Sequence, residues 1–394
     1  MSSQNPVFIP GPTNIPEGVR KACDMPTIDH RSPAFARVFR PAVAGVKKVL
    51  GMAEGEVIIL PSTGTGGWEA AISNTLSPGD TVLAARFGMF SHRWIDMCQR
   101  HGLTVQVIET PWGQGAPLGE IAAALKADEA HKIKAVLATH NETATGVRSD
   151  IGGIRRAIAG HPALLFVDGV SSIGSMPFDM AGWGVDIAVA GSQKGFMLPA
   201  GLAILGISPK AIAAMDSATL PRTFFDFRDM IKSYAAGGFP YTPPVGLING
   251  LAHAVQMLED EGLEQVYARH ARIAEGVRRA VAAWGMAPCA VSPELYSDTV
   301  TAVVVPTGCN GTDLVQLAAS KYGVAFGVGL GEVAGKVFRI GHLGMLTDVM
   351  MLSGLATAEM CMADLGWPVT LGSGVAAAQE YYRTGAPETA KAAA

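Results

Sequence analysis

The sequence predicts an α/β fold: a large domain with a mainly parallel seven-stranded sheet flanked by helices, followed by a smaller C-terminal α+β domain. Three observations carry this. Seven short, mainly apolar runs recur between residues 55 and 205. Helix-length segments with turn punctuation such as Ser77-Pro78-Gly79-Asp80 separate most of them. The chain has 394 residues, 49% hydrophobic and only 16% charged, which suits two or so domains with a large core. Strands without polar alternation are covered on both faces, and helices between them provide that cover.

The predicted strands are residues 57–60, 81–84, 105–108, 135–138, 164–167, 187–190 and 202–205. Residues 237–244, Gly-Gly-Phe-Pro-Tyr-Thr-Pro-Pro, break any helix and read as a loop. Leu263, Val266, Tyr267, His270, Ile273, Val277, Val281 and Trp284 then recur at helical spacing with Arg and Glu between them. That helix bridges to the small domain, whose strands are expected at 300–305, 324–326 and 337–340. The expected organisation is an N-terminal arm (1–20), a large domain (21–262), a small domain with its linking helix (263–380) and a frayed tail (381–394).

Composition excludes several classes. A net charge of −4 gives no footprint for nucleic acid. No apolar stretch reaches membrane-spanning length, although mean hydropathy is +0.27. The surplus fits an interface between copies, so a homo-oligomer is expected. The first six residues lack the regions of a signal peptide. Five scattered cysteines, without CxxC spacing, suggest a reducing compartment and no structural metal. The cytoplasm is the expected location.

Ligands of such sheets bind beyond the carboxyl ends of the strands. Lys194, in Gly191-Ser192-Gln193-Lys194-Gly195, directly follows the run 187–190. A lysine there can be a solvated loop residue, or a buried amine with a lowered pKa that attacks a carbonyl. Asp168 closes the run 164–167; it can cap a helix or answer a buried cation. After residue 60 come Pro61-Ser62-Thr63-Gly64-Thr65-Gly66-Gly67, backbone suited to an anion at a helix start or to a tight turn. It is neither a GxGxxG fingerprint nor a P-loop. The run 135–138 leads into the polar cluster Thr139-His140-Asn141-Glu142-Thr143. An anion cradle, an aspartate and a lysine in this order match a cofactor with a phosphate, a pyridine nitrogen and an aldehyde: pyridoxal 5′-phosphate.

Pro10-Gly11-Pro12-Thr13, Ser171-Ser172, Phe338-Arg339-Ile340-Gly341-His342 and Gly372-Ser373-Gly374-Val375 extend the match over nearly the whole chain. On these motifs the sequence resembles the class V, fold-type I aminotransferases, and among them the serine–glyoxylate and aspartate–glyoxylate enzymes. The resemblance implies that Lys194 holds pyridoxal phosphate covalently and carries the proton. Asp168 keeps the pyridine nitrogen protonated. Thr63, Gly64 and Thr65, helped by Gln193, bind the phosphate. Thr143 lies near the ring hydroxyl, and Phe90 takes the stacking place where several relatives have Trp. Thr242 crosses a dimer interface to the neighbour's phosphate. Arg339 grips the substrate carboxylate, with Gly11 on the substrate side. His30 and Arg31 could reach a second carboxylate or could be salt-bridged without a ligand. The implied reaction moves an amino group from aspartate, or from serine or alanine, to glyoxylate. A cysteine desulfurase would need a cysteine close to Arg339 in sequence, and none is there. A silent binding protein on the same scaffold would have no use for the lysine.

Overall fold

All seven apolar runs are strands of one sheet in the computed structural model, which describes residues 6–385. The first five residues and residues 386–394, which carry part of the signal-peptide reading and of the tail, lie outside the described residues. The strands lie side by side in the order Glu56–Pro61, Leu202–Ile207, Ile187–Gly191, Leu164–Asp168, Ile133–Thr139, Thr81–Arg86 and Thr104–Glu109. All run the same way except Leu202–Ile207, which is antiparallel to both neighbours. The reversal follows from length. The connection from Gly191 to Leu202 is too short for a helical crossover, which a parallel return requires.

Successive side chains of each strand enter opposite cores, as the two-residue period demands. Val57, Ile59, Val167, Ala188 and Ile204 pack with the helices Pro33–Val49 and Val245–Glu261. Ile58, Leu60, Phe166, Val189 and Ala203 pack with the helices Gly64–Thr75 and Met89–Arg100. The edge strand Thr104–Glu109 is only half covered.

Helix Val245–Glu261 passes into helix Leu263–Ala283 through Gly262 alone, at φ +83°, a left-handed value that glycine adopts without strain. The second helix packs on a five-stranded sheet ordered Val7–Phe8, Ala325–Val328, Val337–Gly341, Val300–Val304 and Ala287–Pro288. Its first strand comes from the other end of the chain and pairs in parallel with Ala325–Phe326. Residues 9–13 then cross to the central sheet, where the Thr13 amide donates to the Gln193 carbonyl at 3.2 Å. Among the described residues no helix is long and apolar enough to cross a membrane.

Candidate active site

The strand ends converge as the order of the sheet requires. Asp168 is the last residue of its strand, and Lys194 stands in the turn just after Ile187–Gly191. Ser192 fixes that turn: its hydroxyl accepts from the Leu202 amide at 3.1 Å and donates to the Pro199 carbonyl at 2.8 Å. Lys194 and Asp168 line one cavity of about 140 Å³ with Thr63, Gly64, Thr65, Phe90, Thr143 and Gln193. Trp68, Val170 and Ser171 complete the wall.

The Lys194 side chain is largely enclosed, and its ammonium donates to the carbonyl of Pro10. Burial lowers its pKa to about 8; the Arg339 cation pushes the same way, and Asp168 opposes both. A sizeable share of the amine is therefore neutral near pH 8 and able to attack a carbonyl carbon. The close approach of residue 11 requires glycine. A Cβ there would lie 2.6 Å from Nζ, and Gly11 has φ +97°.

Asp168 is 4% exposed, and burial raises its pKa to about 7. The Val170 amide, donating at 2.9 Å to Oδ1, pulls it back down, and the charge of Glu142 raises it further. The Trp68 indole N–H is a polar neighbour that also lowers it, yet it makes no hydrogen bond of ordinary geometry, so we assign Trp68 no partner role. The pKa in the folded state exceeds the ordinary 3.8, so protonation of Asp168 is linked to folding. Its contribution is complete below about pH 4 and is lost as pH rises to about 7. In cofactor-free protein, the wild type is expected to lose stability relative to Asp168→Asn across this window. Chemical denaturation of both proteins as a function of pH measures the difference; parallel curves would remove Asp168 from the balance.

Helix Gly64–Thr75 begins at the cavity. Its first turn carries no acid, Thr63 at the N-cap makes no side-chain cap bond, and Thr63, Gly64 and Thr65 line the cavity, so the start of the helix is suited to an anion there. Buried Gln193 Oε1 has no partner either. Thr143 Oγ1 lies 2.7 Å from Ser171 Oγ, and Asn141 Nδ2 donates to Ser171 Oγ at 2.8 Å and to Thr299 Oγ1 at 2.9 Å. An anionic group at the helix, a cationic ring nitrogen at Asp168 and a carbonyl at Lys194 would answer each feature, which is the donor and acceptor set of pyridoxal phosphate.

Arg339 reaches this region from the small sheet. It is 7% exposed. Nε donates to the Val328 carbonyl at 2.8 Å and Nη1 to the Thr143 carbonyl at 3.0 Å. Burial lowers its pKa to about 10, and Glu142 partly offsets that. Among the described residues no carboxylate is ion-paired with it, so it is a buried cation ready for an anion from outside.

Other sequence candidates lie elsewhere in this chain. His30 and Arg31 line a separate cavity with Arg37, Arg40, Gly237 and Phe239. Thr242 is exposed on the segment that follows. Sequence reasoning gave no role to Trp68, Ser171 or Pro10. Ser171 had a usable signal, three residues beyond Asp168 on the same turn; the Pro10 carbonyl had none, because backbone atoms carry no residue code.

The family described as aminotransferase class-V matches residues 22–340. The L-aspartate–glyoxylate aminotransferase of Paracoccus denitrificans is 69% identical over 385 residues, covering 97% of each chain. The serine–glyoxylate aminotransferase of Methylorubrum extorquens is 54% identical, covering 96% of each. The crystal structure of pyridoxamine–pyruvate aminotransferase from Mesorhizobium loti superposes with a TM-score of 0.91 at 31% identity, covering 98% of both chains. Those matches and the lysine–aspartate cavity agree: the chain belongs to the class V aminotransferases, as a pyridoxal-phosphate-dependent transaminase of fold-type I.

Proposed function

We propose that this transaminase moves the amino group of L-aspartate to glyoxylate, giving oxaloacetate and glycine. The observation that carries the reading is Arg339, a buried guanidinium beside Lys194's cavity with no carboxylate partner among the described residues. Its free edge suits the α-carboxylate common to both substrates. The 69% identical relative is named for this pair of substrates.

Pyridoxal phosphate, when bound, supplies an electron sink and carries the amino group between the two half-reactions. The protein does the rest. Lys194 Nζ takes the proton from the donor's Cα and returns one to the glyoxylate-derived carbon in the second half. Asp168 holds a counter-charge for the ring nitrogen. Thr63, Gly64, Thr65 and Gln193 would hold the phosphate, Thr143 would contact the ring hydroxyl, and Phe90 would stack on the ring. No cysteine lines the cavity, as a desulfurase would require.

Aspartate brings a second carboxylate. We place its cation on a partner copy, in a homodimer where Thr242 also reaches the neighbour's phosphate. His30, Arg31, Arg37 and Arg40 line one open cavity, and among the described residues none is ion-paired. The five cysteines are free, which supports the cytoplasm as the location.

A donor panel tests the reading. Aspartate, serine, alanine and glutamate are each supplied with glyoxylate, and glycine is followed. Aspartate is expected to give the highest kcat/KM, and Arg31→Ala to raise KM for aspartate about tenfold while leaving alanine unchanged. Serine or alanine ahead of aspartate would overturn the donor; a monomer by light scattering would overturn the shared site.

A further inference from the structure

Glu142 is wholly buried beside the cavity, and no step above uses it. Its carboxylate has no cationic partner within ion-pair distance among the described residues. Instead both oxygens accept main-chain N–H groups. Oε1 takes Phe90 and Ala144, each at 3.2 Å; Oε2 takes Phe90 at 3.1 Å and Ser91 at 3.0 Å.

Two of these donors belong to the first turn of helix Met89–Arg100. That helix has glycine at its N-cap, no side-chain cap bond of its own and no acid in its first turn. Glu142 therefore caps it from a distant part of the chain. The approach needs Gly88, because a Cβ at that position would run into Cγ and Cδ of Glu142. Every contact comes from a donor, so an ionised carboxylate matches the site. A glutamine would turn an NH2 toward N–H groups. Burial pushes the Glu142 pKa up, and the Ser91, Ala144 and Phe90 amides with the Ser91 hydroxyl pull it back.

The groups joined in this way are functional. Phe90 forms one wall of the cavity. Thr143, the next residue after Glu142, forms another wall and lends its carbonyl to Arg339 Nη1. One carboxylate thus ties the stacking residue to the turn that carries Thr143 and steadies Arg339.

We propose that Glu142 is a positioning residue, whose carboxylate locks Phe90 and Thr143 to each other as two sides of the slot for the cofactor ring. The proposal rests on the reading of this cavity as the pyridoxal phosphate site. It acts through Phe90 and Thr143, since Glu142 itself is not part of the cavity lining.

The test compares wild type, Glu142→Gln and Gly88→Ala, each prepared without cofactor and titrated with pyridoxal phosphate. Affinity is read from visible absorbance, and ring placement from the induced circular dichroism of the bound cofactor. Wild type is expected to bind with a strong induced signal. Glu142→Gln is expected to bind about tenfold or more weakly, from the loss of charge-assisted hydrogen bonds, with the induced signal reduced or altered in shape. Gly88→Ala keeps the carboxylate and displaces it, and a change in the same direction is expected; it decides the matter if Glu142→Gln does not fold. Folded variants with wild-type affinity and an unchanged dichroism band would overturn the proposal, even if their melting temperatures fall. A wild type that binds no cofactor would instead overturn the reading of the cavity.

Discussion

Lys194→Ala is expected to cut turnover at least a thousandfold and to abolish covalent capture of the cofactor. Among the described residues the amine is the only lysine at the cavity, and both of its proposed jobs depend on burial. A pKa lowered to about 8 leaves enough neutral amine to bond a carbonyl carbon. The same amine is placed to move a proton, and general base catalysis alone is worth about 100- to 10,000-fold. Borohydride reduction of the holoenzyme followed by peptide mapping provides the check. The label is expected on the peptide holding Lys194 in wild type and nowhere in the variant. A label on another lysine, or a variant with near-normal rates, would move the chemistry elsewhere. The Pro10 carbonyl and Gly11 bear on the same result, because they leave the lysine chain little room to swing away.

Arg339→Ala is the second large effect. The guanidinium is buried and, among the described residues, unpaired by any acid, so an incoming carboxylate meets little competition from water. Losing a forked, charge-assisted contact of this kind costs about 3 kcal/mol, or roughly a hundredfold in kcat/KM for amino and oxo acids alike. Cofactor affinity is expected to stay within a few-fold of wild type. Arg339→Lys restores charge but not the fork, so it is expected to recover only part of the loss. Steady-state kinetics with aspartate and with glyoxylate, set beside a cofactor titration, separate these outcomes. Unchanged kinetics would remove Arg339 from the site. The Thr143 carbonyl loses its donor in the alanine variant, which is why the cofactor titration belongs in the measurement.

The sequence by itself determined the strands and which charged residues stand at their ends. Apolar runs of strand length, separated by helical periods, can satisfy their backbones only as a covered sheet, and all seven runs do so. Asp168 and Lys194 were legible because a charged residue directly after a buried strand is costly without a purpose. The linking helix was legible because its period is local, and Leu263–Ala283 is where the pattern put it. The tertiary structure decided what local patterns cannot encode. Strand order, and the reversal of Leu202–Ile207, depend on which segments meet across long loops. The two-residue strand Val7–Phe8 is too short to show a period, yet it sets the Pro10 carbonyl against Lys194 from 184 residues away. Glu142 read only as one polar residue among several; its role appears when Gly88 and Phe90, more than fifty residues earlier, fold against it. Periodicity and residue type act over a few residues, whereas a site is made by contacts distant in the chain, and only packing of the whole fold selects those.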